Sequence, residues 1–229
     1  MTPDASRQGG RPRLRADAAR NRAQVLAAAR TAFRDLGTAV PLDEIARRAG
    51  VNIATLYRRF PDRDALIQQV VIDGFTLVLE TARGALKTAS RDPMAAVEEL
   101  LLHLVDQRDM LVLPLIGGPV VDAPEAIELQ RQIAAALEDL LATARSRSLV
   151  RPDVTTVDLI TTAALACRPL PYLPSEQATA LATRHVRIFL DGLRPDSTQP
   201  LPAAPTHEEF TAHLRTAPET EPDPGDTNA

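Results

Sequence analysis

An all-α fold is the expectation for this sequence, and three features carry it. The apolar residues, 45% of the chain, are aliphatic, with aromatics at only 3%. Apolar positions recur at i, i+3, i+4 and i+7 over most of the chain, the spacing of a helix that buries one stripe. Glycines, prolines and side chains that cap helices stand at most of the boundaries between these runs.

The first run extends from Asp17 to about Leu36, with Val25, Ala29, Phe33 and Leu36 on one stripe and Gly37 ending it. Pro41 stands where a second helix starts, because proline fixes φ and its missing N–H is not needed in a first turn. Leu42, Ile45, Ala46 and Ala49 form the stripe of that helix, and Gly50 stops it. Asn52 is placed to cap a third, short helix, and Asp62 to cap a long fourth one through "ALIQQVVIDGFTLVLETARGALK". Further helices are expected near 92–108, 123–147, 154–167 and 175–193, punctuated by Pro114, Pro119, Pro124, Pro152, Pro169, Pro171 and Pro174. Four regions follow: a flexible basic arm (1–16), a three-helix head (17–63), a helical body (64–194) and a disordered Pro-rich acidic tail (195–229). Within that tail, "THEEFTAHLR" has the composition of a short helix.

Charge is divided unevenly. Residues 1–63 carry thirteen arginines against six acids, a balance of +7, while the remainder carries thirteen basic and twenty-four acidic residues, −11. A basic head on an acidic body suits a polyanionic partner; a solvated charged face is the plainer explanation. No run of eighteen apolar residues marks a membrane span, and the N-terminus lacks the apolar stretch of a secretory leader. A single cysteine, Cys167, allows no internal disulfide and fits the reducing cytoplasm.

The second and third helices, joined by "GVN", have the spacing of a helix-turn-helix, whose second helix enters the major groove of duplex DNA while the first crosses the backbone. At 100° per residue Leu56 points to the core with Val51 and Phe60. Ala54, Thr55, Tyr57 and Arg58 point away, and Ile53 and Arg59 flank the core face. The expected DNA contacts are therefore Arg47, Arg48, Ile53, Thr55, Tyr57, Arg58, Arg59 and Arg63. Arg11 and Arg13 in "GGRPR" join them if the arm enters a minor groove rather than only solubilising the chain.

These residues resemble the TetR family of bacterial transcriptional regulators. "VLAAARTAFRDLG" and "LDEIARRAGVNIATLYRRFPDRDALI" carry the resemblance over about residues 20–70, and "RPRLRADAARNR" is similar to the arm of many members. "LVRPDVTTVDLI" and the helix before it are similar to the SbtR-like group of C-terminal domains. The resemblance implies an all-helical homodimer, with an N-terminal helix-turn-helix domain and a C-terminal domain that binds a small-molecule effector and dimerises. It implies phosphate or base contacts at Thr55, Tyr57 and Arg59, and a phosphate contact at Arg63. One departure is Pro41, where members commonly place a Thr or Ser; proline offers no hydroxyl to a cap or a phosphate.

Phe75, His103, Asp106 and Cys167 are the candidates for an effector pocket. His103 and Asp106 are three residues apart on one helix, too few for a metal site, and no metal or cofactor is expected. Cys167 lies among alanines, as a core or interface residue would. "LPLIGGPVV" and "VVDAPEAIELQ" have the composition of a mobile wall to such a pocket. A Gly-rich phosphate loop, a nucleophile elbow and a Cys/His cluster are all missing from the sequence, which disfavours the alternative of an enzyme or interaction module with a basic head. The function expected is a repressor of nearby genes, bound to a pseudo-palindromic operator and released by an effector.

Overall fold

The computed structural model describes residues 10–111, 123–170, 172–196, 199–206 and 209–210, with side chains from Asp17 onward. Among them are eight α-helices, one 3-10 turn and no strand. The helices are α1 (Gly10–Leu36), α2 (Leu42–Ala49), α3 (Ile53–Arg59), α4 (Arg63–Ala89), α5 (Pro93–Asp106), α6 (Pro124–Ser146), α7 (Thr156–Cys167) and α8 (Ser175–Gly192); the 3-10 turn, Arg108–Met110, follows α5.

The helix ends obey local chemistry. Gly37 and Gly50 take φ of 79° and 66°, the left-handed region that a side chain would disfavour. Asn52 accepts a hydrogen bond from the Ala54 N–H at 2.8 Å and Asp62 one from Ala65 at 2.7 Å. Asp92 accepts from both Met94 and Ala95, and Thr155 forms a reciprocal capping box with Asp158. Pro41 supplies no side-chain cap to α2.

The head is α1–α3 with the first half of α4, closed around Val25, Ala29, Phe33, Ile45, Leu56, Phe60, Leu66 and Val70. The body is the second half of α4 with α5–α8, closed around Leu79, Val97, Leu101, Leu104, Leu140, Leu141, Leu159 and Val186. By length and composition α4 could cross a membrane; here its Leu66, Ile67, Val70, Val71 and Leu79 are buried in these two cores. Phe75 packs against both, so α4 joins head to body.

Two boundaries differ from the sequence expectation. α1 begins at Gly10 rather than Asp17. After Gly10 the segment holds no helix breaker except Pro12, which is tolerated in a first turn where no N–H donor is required. Residues 1–9 lie outside the described residues. The second difference is in the tail. Gln199–Thr206 is packed on the body, because Arg151, itself buried, grips Asp153 through Nε (2.5 Å) and Nη2 (2.7 Å) and donates to the Gln199 carbonyl at 2.6 Å. Asp153 then accepts from the Leu201 N–H at 2.9 Å. Composition alone hides such an anchor, since it lies in a loop some fifty residues earlier. Thr206 and Glu209 form the first bonds of a helical turn where the sequence expects one; residues from 211 onward lie outside the described residues, as does all of "LPLIGGPVV" (113–121).

Candidate nucleic-acid interface

The exposed side of α3 is set by a single buried residue. Leu56 is fully buried, so its neighbours one and two positions away are turned outward. Tyr57, Arg58 and Arg59 are exposed, Ile53 is exposed at its edge, and Thr55 is half-buried. No ion pair or hydrogen bond engages the guanidinium of Arg58 or Arg59 among the described residues, so two cations and a phenol stand unpartnered on one short helix. Phe60, buried behind them, lies under the Arg22 guanidinium of α1 at 5.7 Å from its ring centre, which fixes the end of α3 against α1.

The other basic positions behave differently. Arg47 binds Glu44 in a fork, Nε and Nη2 each 2.7 Å from a carboxylate oxygen. Arg48 shares that carboxylate at 2.8 Å and reaches Asp35 of α1 at 3.2 Å. The Arg47 and Arg48 hydrogen bonds hold the Glu44 carboxyl down at about 2, far below its ordinary value. Arg47 and Arg48 thus belong to an ionic cluster with Glu44 and Asp35. The cause is the i, i+3 and i, i+4 spacing from Glu44, which puts all three on one face of α2.

Arg63 is held by backbone carbonyls instead of an acid. Its Nη1 donates to the Thr38 carbonyl at 2.7 Å and to the Val40 carbonyl. Those carbonyls belong to the turn between α1 and α2, left unpaired where α1 ends, and a cation at the start of α4 satisfies them. Arg63 is half-buried and braces the head from inside. Arg11 and Arg13 lie on the first turns of α1, with side chains outside the described residues.

Residues 25–70 match the model of bacterial regulatory proteins of the tetR family, and residues 92–195 match that of the SbtR-like transcriptional regulator C-terminal domain. A TetR transcription regulatory protein from Mycobacterium vanbaalenii is 35% identical, with 79% of this chain and 99% of that one covered at a TM-score of 0.52. The chain belongs to the TetR family. Another TetR regulator, SCO0520 from Streptomyces coelicolor, is 29% identical over 77% of this chain and 99% of its own, with a TM-score of 0.50. AibR, solved in complex with isovaleryl coenzyme A and operator DNA, shares the fold at 18% identity and a TM-score of 0.57, over 77% of this chain and 98% of its own. No curated protein matches the sequence. As a TetR-family chain with this helix-turn-helix, the protein is a DNA-binding transcriptional regulator.

Among the described residues, the four residues expected at an effector pocket of this TetR-family body stand in different surroundings. His103 and Asp106 are exposed, because α5 buries Val97, Leu100, Leu101, Leu104 and Val105 and turns positions 103 and 106 outward. Phe75 is half-buried at the head–body junction. Cys167 is buried in the body core, where desolvation pushes its thiol up to about 12 and Arg108 opposes the shift. None of the four lines the open groove of about 700 Å³ between the start of α5 and the end of α8, bounded by Met94, Glu98, Leu149, Arg187 and Arg194. Among the described residues, no group of three His, Cys, Asp or Glu could hold a metal ion.

Sequence reasoning missed Glu44 and Arg34. The signal for Glu44 was available in its spacing from Arg47 and Arg48. Arg34 meets Asp109 at 2.7 Å, seventy-five positions away, and no local pattern announces that pairing.

Proposed function

We propose that the protein is a homodimeric repressor that binds a pseudo-palindromic operator through α3 and is released by a small-molecule effector of the body. The observation that carries the DNA surface is the unpartnered set of Tyr57, Arg58 and Arg59 on the outer face of a capped helix whose Leu56 is buried. Arginine forks match guanine edges and phosphates, and a helix of this diameter fits the major groove. Ile53 and Thr55 lie beside them for apolar and hydroxyl contacts to bases.

The dimer reading rests on α7 and α8. Of the apolar residues on these helices, Val157 and Val186 are buried within the chain's own body. Leu165, Leu181 and Ile188 are exposed at 62%, 49% and 58%, and two copies of this face would cover them in a four-helix packing. A two-fold dimer then demands two half-sites about one helical turn, or a small multiple, apart. AibR, which shares the fold, is known with an acyl coenzyme A and operator DNA together, and an effector site in the body is proposed here by analogy. The cytoplasm is the compartment where such a repressor meets its operator.

The test is duplex binding over a range of salt. Arg58→Ala and Arg59→Ala should each lower the salt slope by about one if the residue neutralises a phosphate. Arg59→Ala should cost about 1–3 kcal/mol and relax one base position per half-site if it reads a base. A double variant that binds operator and random duplex as the wild type does would remove α3 as the DNA surface.

A further inference from the structure

Two arginines one helical turn apart on α1 reach two different elements, and the second of these belongs to the body. Arg30 lies 3.9 Å from Asp73 of α4, and Arg34 lies 2.7 Å from Asp109 in the 3-10 turn after α5. Arg34 also meets Asp35 at 3.2 Å, and Asp35 holds Arg48 of α2 at 3.2 Å. Arg48 in turn shares Glu44 with Arg47. On the far side of the turn, Arg108 donates to Thr179 Oγ1 at 2.9 Å and, more loosely, to Ser175 Oγ at 3.3 Å, both near the start of α8. A polar chain therefore runs from the first helix of the helix-turn-helix, through the end of α1 and a three-residue turn, to the start of α8. It bypasses α4, which joins the same two regions through apolar packing.

We propose that the Arg34–Asp109 pair is a clasp that sets the angle of the DNA-binding head on the body and passes to the head any shift of the Arg108–Met110 turn or of the start of α8. This rests on the DNA-binding reading above. The clasp suits a switch more than a rivet. Asp109 is 78% exposed and Arg34 31% exposed, so the pair stabilises the fold little and is cheap to open. Its neighbour Arg30 is half-desolvated, with burial lowering its pKa against the raising effect of Asp73 and Asp109, so the aspartates are felt across the joint. A discrete contact that both elements share is the physical requirement for coupling two sites, where mere proximity is not. In a dimer the head angle sets the distance between the two copies of α3, and hence the operator spacing that is accepted.

Half-sites selected by the wild type from a random duplex pool would be re-spaced by one to three base pairs and bound by wild type, Asp109→Lys, Arg34→Glu and the charge swap Arg34→Glu/Asp109→Arg. Wild type should discriminate between spacings by about tenfold, within the range of ordinary coupling between sites. Each single variant should flatten that discrimination while melting near the wild-type temperature, and the swap should restore it. A wild type that binds no duplex overturns the DNA reading and this inference with it. A wild type that discriminates while Asp109→Lys discriminates equally well, or a swap that restores nothing, overturns the clasp and leaves the DNA reading standing. A single variant that loses spacing preference only because it unfolds is identified by melting; Arg34→Gln, which removes the charge without reversing it, then decides between the two.

Discussion

Replacing Arg63 by alanine separates two roles for one residue. A phosphate anchor and an internal brace predict different losses. In the structure its Nη1 donates to the Thr38 and Val40 carbonyls from a half-buried position. Hydrogen bonds from a charged donor contribute roughly 1.5–3 kcal/mol, and water can rehydrate part of the exposed turn, so we take that range for the pair together rather than for each bond. For a chain of this size it corresponds to a fall in melting temperature of about 3–12 °C. Arg63→Lys should recover part of the loss, because an ammonium can satisfy one carbonyl but lacks the planar fork. The assay is thermal and urea unfolding, run beside duplex binding across salt at a temperature where both variants remain folded. Brace behaviour is a destabilised Arg63→Ala with an unchanged salt slope. If Arg63→Ala melts with the wild type and its salt slope falls by about one, the inward placement of this side chain is refuted and Arg63 is a phosphate contact.

Leu181→Asp with Ile188→Asp should give a folded monomer by sedimentation, since these side chains are exposed in the single chain and a charge costs most when a partner face covers it; a dimer unchanged at micromolar concentration would place the interface elsewhere. Truncation after Arg194 should lower the melting temperature by a few degrees, roughly the loss of one charged hydrogen bond and the packing of the strap, because Arg151 and Asp153 lose the Gln199 and Leu201 backbone; a truncated chain that melts with the wild type would show that the strap contributes nothing. Cys167 should resist alkylation at pH 8 in the folded protein and react on unfolding. Burial pushes its thiol up to about 12, so the stability the protonated thiol contributes is complete below the ordinary thiol range and is lost as pH rises toward 12; alkylation of the native protein at the rate of a free thiol would contradict that burial.

Much of the head was legible because its determinants are local. Gly37 and Gly50 need left-handed backbone, Asn52 and Asp62 cap within three residues, and Leu56 alone fixes which side of α3 faces out. Helix periodicity likewise placed α5 to α8 within two residues of their ends. Side-chain destinations were less legible. A basic residue in the right place by pattern, such as Arg47 or Arg63, says nothing about whether an acid or a carbonyl will reach it first. His103 and Asp106 looked like a pair by spacing, yet their outward direction depends on where the body core lies.

By itself the sequence determined the helical class, the helix-turn-helix, its caps and the exposed character of Tyr57, Arg58 and Arg59, since each follows from covalent geometry and from contacts a few residues apart. Tertiary structure alone decided that Arg48 also meets Asp35, that Arg63 turns inward, that Arg151 straps the tail to the body and that Arg34 meets Asp109. Each of these joins residues far apart in the chain. The free energy of a charged group depends on which partner the fold brings within about 4 Å and how much water it removes, and neither is written in the local order of residues.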